Sequence, residues 1–223
     1  MNPKATGPII DIHGHYGLSN KLKIWRGSAE AMLAEMDRHG VERIVISLHR
    51  ALALPAGNRD LPGVLDRSDG RFLGYWVAHP NSSTPPEEQF AHIERRSDIV
   101  GFKFHPVWHA YPLDGKLYEP YWEYAASRNL IVLSHTWGSE PCCDYNRCRA
   151  VLRRYPDIRL IFGHSGYSDH ARFAALARDY ENAYCETCAV GSLNGAIETM
   201  VSMAGSRKVM FGTDNPWFDP GYM

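Results

Sequence analysis

The residues of this chain that are best suited to chemistry are its histidines. The 223 residues include 11 histidines, and His13 and His15 flank Gly14 in the apolar run PIIDIHGH. In a β-strand, residues i and i+2 point to the same face and lie about 6.5–7 Å apart along the chain. Two imidazoles so placed can bind one ion, and imidazole nitrogen suits Zn²⁺, with Mn²⁺ or Fe²⁺ as alternatives. The pair therefore predicts one divalent metal ion, in the first place zinc.

Most of the other apolar runs also end in polar residues that can bind a ligand or carry a proton. Histidines without a shared function would be scattered over helix surfaces and loops, as His39, His92 and His170 are. Because the polar run ends form a set, we expect their side chains to share one site. The set comprises His49, His79, Lys103, His105, His135, His164 and Asp214.

Eight apolar runs rich in Val, Ile, Leu and Phe supply the elements that must position these residues. Successive runs end 24 to 33 residues apart, close to the roughly 30 residues of a strand with its crossover helix. Apolar strands that alternate with amphipathic helices are typical of a parallel sheet covered on both faces. In a barrel of this kind the active site lies at the carboxyl ends of the strands. The runs are 8–15, 41–48, 71–78, 99–105, 130–135, 158–164, 182–188 and 207–214.

Helix signals lie between the runs. Ser28 as N-cap and Gly40 beyond the last turn bound the first helix. A (β/α)8 barrel usually needs about 250 residues, so we expect a compact TIM barrel, one domain over 1–223, whose eighth helix is missing or truncated. A second copy of the chain is one way to cover the face left bare, which makes a homo-oligomer a further expectation. The other helices are predicted over 87–96, 118–128, 146–154, 171–179 and 196–204.

An open, doubly wound sheet is the alternative topology for the same alternation of elements. It predicts a glycine-rich GxGxxG loop after the first strand. The sequence has DIHGHYG at that place instead, and we therefore favour the barrel.

Composition and charge exclude several classes of partner. The formal net charge is −1, the pI is about 6.8 and the mean hydropathy is −0.35. No basic stripe for nucleic acid is present, nor a run of the roughly 18 apolar residues that a membrane span needs. The N-terminal residues lack an apolar signal-peptide core, and the five cysteines are interpreted as reduced thiols. We expect a cytoplasmic protein whose partner is a small-molecule substrate.

Five motifs make the sequence similar to a known group of enzymes. Together they resemble the amidohydrolase superfamily, most closely the amidohydrolase-related branch that includes 2-amino-3-carboxymuconate-6-semialdehyde decarboxylase and related lactone hydrolases. The likeness runs in order from residue 9 to residue 217. The motifs are DIHGHYG, GFKFHP, VLSHTWG, IFGHSG and MFGTDNPW.

The resemblance implies a metal-dependent hydrolase and a role for each matching residue. The implied metal ligands are His13, His15, His135 and Asp214. A catalytic metal ion keeps one position open for water and lowers the pKa of that water. Asp214, at the barrel rim, can accept the water's proton and is the expected general base. His164 is expected to polarise the substrate or to shuttle a proton.

The sequence leaves two alternative roles open for each of two polar residues, Lys103 and Asp11. In binuclear members of the superfamily a carboxylated lysine on the fourth strand bridges two metal ions, and Lys103 is the candidate for such a bridge. In the branch resembled here one metal ion is usual and this strand contacts the substrate, so we favour a mononuclear site. Asp11 shares a strand face with His13, where it could accept an imidazole N–H or cap buried backbone groups; these alternatives are held equal.

The remaining pocket candidates are aromatic and basic residues near the run ends. Loops at this face of a barrel usually carry specificity. Arg26, Arg50 and Arg147 are candidates for binding a substrate carboxylate, and their spacing does not choose among them. The residues expected to contact substrate are Tyr16, Lys103, His105, Trp108, His109 and Trp137.

Three functions are compatible with these residues. The first is hydrolysis of an amide, lactone or related C–N or C–O bond of a small substrate by metal-activated water. The second is metal-dependent, non-oxidative decarboxylation, a lyase reaction that uses the same ligands. The third is a non-catalytic ligand-binding barrel, which predicts the loss of one or more ligand positions, whereas all are present. Little insertion between the strands favours the hydrolase.

Overall fold

The computed structural model describes residues 7–19 and 27–222. Its eight strands form one parallel sheet in which each strand pairs with its neighbours in sequence. The predicted (β/α)8 barrel is therefore confirmed. The strands are β1 (Ile9–Tyr16), β2 (Val41–Leu48), β3 (Phe72–Val77), β4 (Ile99–Phe104), β5 (Ile131–His135), β6 (Arg159–Gly163), β7 (Ala183–Glu186) and β8 (Val209–Met210).

Backbone contacts between β1 and the segment that follows β8 close the barrel. Ile12 N–H donates to the Phe211 carbonyl at 3.0 Å, and Asp214 N–H donates to the His13 carbonyl at 2.7 Å. The Asp11 carboxylate adds a third tie, because it accepts the backbone N–H of Thr213 at 3.1 Å. Closure thus brings the first and last predicted site residues side by side.

Helices cover the outside of the barrel, and the bounds predicted for six of them are correct within two residues. Ser28 caps the first, accepting Ala31 N–H at 3.2 Å, and Gly40 ends it with a φ of 69°. None of the helices in the described residues is long and apolar enough to cross a bilayer. These six are α1 (Ala29–His39), α4 (Pro86–Glu94), α6 (Glu119–Arg128), α7 (Tyr145–Arg154), α8 (His170–Asp179) and α9 (Ala196–Ala204).

Short helices fill two connections for which the sequence offers no clear periodicity. Between β2 and β3 the chain forms α2 (His49–Ala53), a 3-10 turn (Pro55–Asp60) and α3 (Leu61–Leu65). After β4 it forms α5 (Pro106–His109). Helices this short carry too few residues to display an amphipathic repeat.

The described segment after β8 has little regular secondary structure. Over residues 211–222 the structure has one 3-10 turn, Pro220–Tyr222, and no α-helix. Asp219 next to this turn lies 3.0 Å from His39 Nε2. That contact fastens the segment to α1.

Apolar side chains fill the lower part of the barrel interior. Val45, Tyr75, Leu133 and Ile161 form a buried cluster contributed by four strands. Side chains two residues further along a strand point to the same face. Leu133 is therefore followed on the inner face by His135, so the polar site lies directly above this apolar floor.

Candidate active site

A cavity of about 410 Å³ lies at the carboxyl ends of the strands. It gathers most of the residues that the sequence assigned to the site, together with three tryptophans. A cavity of this size suits a small substrate. It is lined by His15, His49, Leu52, Lys103, His105, Trp108, His135, Trp137, His164, Ala189, Asp214, Trp217 and Phe218.

His13, His15 and Asp214 form a compact group of metal-binding atoms. Asp214 Oδ1 lies 2.9 Å from His15 Nε2 and 3.3 Å from His13 Nε2. The donor atoms all lie within 4.8 Å of one another. Asp214 Oδ1 is buried and has no hydrogen-bond partner among the described residues, which is costly unless a ligand or ion satisfies it. Two imidazoles and a carboxylate with this orphaned oxygen fit a divalent cation such as Zn²⁺ or Mn²⁺.

The far nitrogens of both histidines are held by neighbouring side chains. His15 Nδ1 lies 2.9 Å from Ser47 Oγ on β2. His13 Nδ1 lies 3.2 Å from Glu186 Oε1 on β7. Contacts of this kind orient histidine ligands in metal proteins, and here they leave both Nε2 atoms facing Asp214.

Lys103 lies against the same group of atoms. Its Nζ is 2.7 Å from His13 Nε2, and the residue is 1% exposed. Burial lowers the pKa of Lys103 to about 8, against the opposing effects of Asp214 and Glu186. The side chain that the sequence assigned to substrate therefore also touches a candidate metal ligand.

His135 lines the cavity but does not join the compact donor group. Its ring stacks on His105 at 4.2 Å between centroids and on Trp137 at 6.1 Å. Burial, and next the charge of Lys103, lower its pKa to about 3. Three of the four ligands that the resemblance implies, His13, His15 and Asp214, therefore lie together. The fourth, His135, lies in the cavity wall beside them.

His164 sits on a distorted turn directly after β6. The φ of His164 is 66°, and Ser165 and Gly166 follow with φ of 46° and 73°. Left-handed backbone at non-glycine residues costs free energy and clusters at functional sites. The turn places the His164 ring 5.1 Å from the His13 ring and 4.9 Å from the His135 ring. Burial holds the pKa of His164 well below its usual value, so the imidazole is neutral at pH 7.

Glu186 is the site residue that sequence reasoning missed. It is fully buried at the end of β7 and contacts His13 Nδ1. Burial raises the pKa of Glu186, whereas the backbone N–H groups of His164 and Cys188 donate to its carboxylate and oppose that shift. The available signal was an acidic residue inside an otherwise apolar strand, since buried carboxylates are rare without a partner.

Asp11 takes the backbone-capping role rather than the imidazole-binding one. Its Oδ1 accepts the backbone N–H of His13 at 3.0 Å and that of Thr213 at 3.1 Å, and Oδ2 accepts the Thr213 hydroxyl. Burial raises the pKa of Asp11 to about 7. The carboxylate contact to an imidazole comes from Glu186 instead.

Two residues expected to contact substrate lie outside the lining of this cavity. Tyr16 lines a second cavity of about 390 Å³ with Leu54 and Val64, because successive strand residues point to opposite faces. His109 Nδ1 lies 2.6 Å from Tyr118 Oη, and its ring packs 4.1 Å from that of His79. The structure thus does not bring Tyr16 or His109 to the donor group.

The arginines proposed as carboxylate partners are engaged elsewhere. Arg50 pairs with Asp60 at 2.9 Å, and Arg147 pairs with Asp114 at 2.5 Å; neither lines the cavity. Arg26 lies outside the described residues. Among the described residues that line the cavity, Lys103 is the one with a Lys or Arg side chain.

Solved structures with the same barrel fold superpose on the chain. 2,6-Dihydroxybenzoate decarboxylase from Rhizobium superposes with a TM-score of 0.73 and 15% identity, over 96% of this chain and 90% of that one. 5-Carboxyvanillate decarboxylase from Novosphingobium aromaticivorans, complexed with manganese and 4-hydroxy-3-methoxy-5-nitrobenzoic acid, gives 0.68 and 13%, over 97% and 87%. A probable 2-pyrone-4,6-dicarboxylic acid hydrolase from Acinetobacter baumannii, with citric acid bound, gives 0.64 and 14%, over 94% and 85%. At these identities the likeness shows the fold.

Sequence comparison supplies the family. No curated protein gives a significant match to the chain. The model of the amidohydrolase family matches residues 10–223, which include every member of the donor group described above. The chain therefore belongs to the amidohydrolase family.

Proposed function

We propose that the protein is a metal-dependent hydrolase that opens a C–O or C–N bond beside a carbonyl group in a small, planar, carboxylated substrate. The observation that carries this proposal is that Asp214 Oδ1 is buried close to His13 Nε2 and His15 Nε2 and has no hydrogen-bond partner among the described residues. His13, His15 and Asp214 would hold the divalent cation, with His135 as the further ligand that the family resemblance implies. When bound, the cation would supply Lewis acidity toward water and the substrate carbonyl.

The protein's own groups account for the proton transfers. Asp214 faces the cavity and can accept the proton of the attacking water, which makes it the proposed general base. His164 is neutral because burial lowers its pKa, so it can donate an N–H to the carbonyl oxygen as negative charge develops there. Proton transfer back to the leaving group completes the hydrolysis.

The rest of the cavity supports a flat, anionic substrate. Trp108, Trp137 and Trp217 present aromatic surface, which packs well against planar conjugated molecules. Lys103 is the cationic side chain among the described lining residues, and a substrate carboxylate would pair with it. The 4-hydroxy-3-methoxy-5-nitrobenzoic acid bound to 5-carboxyvanillate decarboxylase is of this chemical class.

Non-oxidative decarboxylation is the second candidate. Lys103 beside the donor group favours it, because an ammonium group there can orient a carboxylate toward the cation. Two of the structural neighbours reported above are decarboxylases of aromatic acids. In this reaction the carboxylate would leave as carbon dioxide, a proton would take its place on carbon, and no water would be consumed.

Metal analysis and a substrate panel test both candidates. Protein purified without chelator should carry about one equivalent of zinc, manganese or iron, and a panel of carboxylated lactones, amides and aromatic acids should yield a substrate. Release of carbon dioxide identifies the lyase, and ring opening without it identifies the hydrolase. A protein that binds no metal after reconstitution would refute both.

The Asp214→Asn variant, compared with a surface Asp→Asn control, tests whether Asp214 is the general base. We expect turnover to fall by about 10²- to 10⁴-fold while the circular dichroism spectrum is unchanged. Asp179→Asn is the control, since Asp179 forms a surface ion pair with Arg178 at 2.7 Å far from the cavity. Full activity in Asp214→Asn would remove Asp214 from the mechanism.

A further inference from the structure

Two side chains at and just after the end of β7 contact two histidines of the site. Glu186 contacts His13 Nδ1 at 3.2 Å, and Cys188 Sγ lies 3.1 Å from His164 Nδ1. All four residues are buried, with exposures of 5% or less. Neither Glu186 nor Cys188 has a part in the proposed chemistry.

We infer that Glu186 and Cys188 are positioning residues that hold His13 and His164 in opposite tautomers. His13 carries its proton on Nδ1, and His164 carries its proton on Nε2. The inference deepens the proposed function and rests on it for the roles of the two histidines. The tautomers themselves follow from the contacts.

The neighbours of His13 require that its ring proton lie on Nδ1 and not on Nε2. A lysine ammonium has donors and no acceptor, and Lys103 Nζ lies 2.7 Å from His13 Nε2, so Nε2 must accept. Nδ1 then carries the proton and donates to Glu186 Oε1. Both contacts keep His13 Nε2 unprotonated, 3.3 Å from Asp214 Oδ1, where a cation would bind.

Glu186 is itself fixed by backbone groups. Its Oε1 accepts the backbone N–H of His164, and Oε2 accepts that of Cys188 at 2.6 Å. Gly212 packs on this carboxylate, and a Cβ there would overlap Glu186 Oε2. One carboxylate therefore orients the His13 ring and also stabilises the left-handed backbone of His164.

Cys188 holds His164 in the opposite tautomer, with the ring proton on Nε2. A thiol is a weak donor and a weak acceptor, whereas an unprotonated imidazole nitrogen is a strong acceptor, so the S–H donates to His164 Nδ1. Burial raises the pKa of Cys188, and the thiol therefore keeps its proton. His164 Nε2 then bears the N–H that the proposed mechanism needs as a donor to the substrate oxygen.

The same four residues could instead bind a second metal ion. Donor atoms of His13, His164, Glu186 and Cys188 lie within 4.8 Å of one another. Hydrogen bonds account for each of these contacts, because every close pair joins one donor to one acceptor. The stoichiometry of bound metal separates the two interpretations.

Nitrogen NMR of the metal-free protein tests the inference directly. In the full chain labelled with ¹⁵N-histidine, a long-range ¹H–¹⁵N correlation reports which ring nitrogen carries the proton, and His13→Gln and His164→Gln assign the signals. We expect His13 protonated on Nδ1 and His164 on Nε2. The reverse tautomer at either residue in the wild-type protein overturns the inference for that residue, so the result does not depend on any variant folding.

Variants then connect the contacts to their consequences. Glu186→Gln should keep His13 protonated on Nδ1, because Lys103 still donates to Nε2, but it should weaken zinc binding by about 10- to 100-fold, measured by chelator competition. Cys188→Ser should keep His164 protonated on Nε2 because the hydroxyl also donates, and Cys188→Ala should lose that preference. Cys148→Ala removes an equally buried thiol outside the site and is the control.

Two further results would contradict the inference. One is zinc affinity unchanged in a folded Glu186→Gln protein. The other is two zinc equivalents in the wild-type protein, one of them lost in Cys188→Ala, which would make the cluster a metal site. Because tautomers are read without turnover, an inactive protein with the expected tautomers would refute the proposed function alone.

Discussion

Lys103 Nζ lies 2.7 Å from His13 Nε2, at the point where the proposed cation would bind His13. Zinc binds imidazole nitrogen at about 2.0–2.1 Å, so a bound cation and the lysine ammonium would be in close proximity. Burial already lowers the pKa of Lys103 to about 8. The ammonium therefore opposes metal binding, and a carboxylated lysine would favour it.

The Lys103→Met variant tests whether Lys103 is an ammonium group or a carboxylated lysine. We expect the zinc dissociation constant of this variant to fall at least about tenfold at pH 7, because a nearby positive charge is removed. The KM for a carboxylated substrate should rise, since the cavity loses its cation. Lys116→Met, at an exposed position, changes the net charge equally and should alter neither value. Weaker binding, with stoichiometry falling from two ions to one, would instead indicate a carboxylated, bridging Lys103.

Trp137 is expected to form one wall of the substrate site. Its ring stacks on Tyr167 at 4.3 Å with 13° between planes and lies parallel to the His135 ring. Trp137→Ala should raise the KM for a planar substrate about tenfold with a smaller change in kcat, because aromatic stacking contributes about 0.5–1.5 kcal/mol beyond area burial. Trp137→Phe should restore most of the affinity. Equal KM values in all three proteins would place the substrate elsewhere.

The strand ends and the His13–His15 pair were predictable because they depend on local spacing, whereas Asp214 was assigned to the same metal site through the family resemblance. Runs of apolar residues about 30 residues apart fix which strand follows which, and i, i+2 parity places His13 and His15 on one face. The same parity puts Tyr16 on the opposite face, so its assignment to the substrate site did not follow from the pattern. The structure accordingly has Tyr16 in the neighbouring cavity.

The roles of Glu186 and Asp11 depend on contacts that no local pattern contains. Glu186 reaches His13 across 173 positions of sequence, and Asp11 reaches Thr213 across 202. Only closure of the barrel decides which of the two carboxylates meets an imidazole and which meets backbone N–H groups. Sequence spacing therefore left Asp11 open between two roles and overlooked Glu186.

Gly212→Ala should damage the site through Glu186. A Cβ at Gly212 would overlap Glu186 Oε2 and lie 3.1 Å from His13 Cβ. Overpacking of this kind costs about 1–3 kcal/mol of stability, and displacement of Glu186 should also weaken zinc binding. Gly63→Ala is the control, because a Cβ at Gly63 would meet no atom within 4 Å and alanine is favoured in a helix. Urea unfolding and zinc titration measure both effects; a Gly212→Ala protein with normal stability and affinity would contradict the packing argument.

Buried histidines should make the metal-free protein sensitive to acid, and His109 offers a clean case outside the donor group. Burial, and next the proximity of His79, lower the pKa of His109 from 6.5 to about 3. Between these values the unfolded chain binds a proton that the folded chain does not, so the free energy of unfolding falls as the pH drops from 6.5 toward 3. One such group contributes a slope approaching about 1.4 kcal/mol per pH unit.

His109→Gln removes this contribution. Although the variant loses some stability at pH 7 with the contact to Tyr118, its free energy of unfolding should decline less steeply between pH 6 and pH 4 than that of the wild-type protein. The other buried histidines titrate in both proteins, so the difference between the two curves isolates His109. Urea unfolding in EDTA at half-unit pH intervals gives the curves, with His92→Gln at an exposed position as control. Parallel wild-type and His109→Gln curves would mean that His109 is not held neutral by burial.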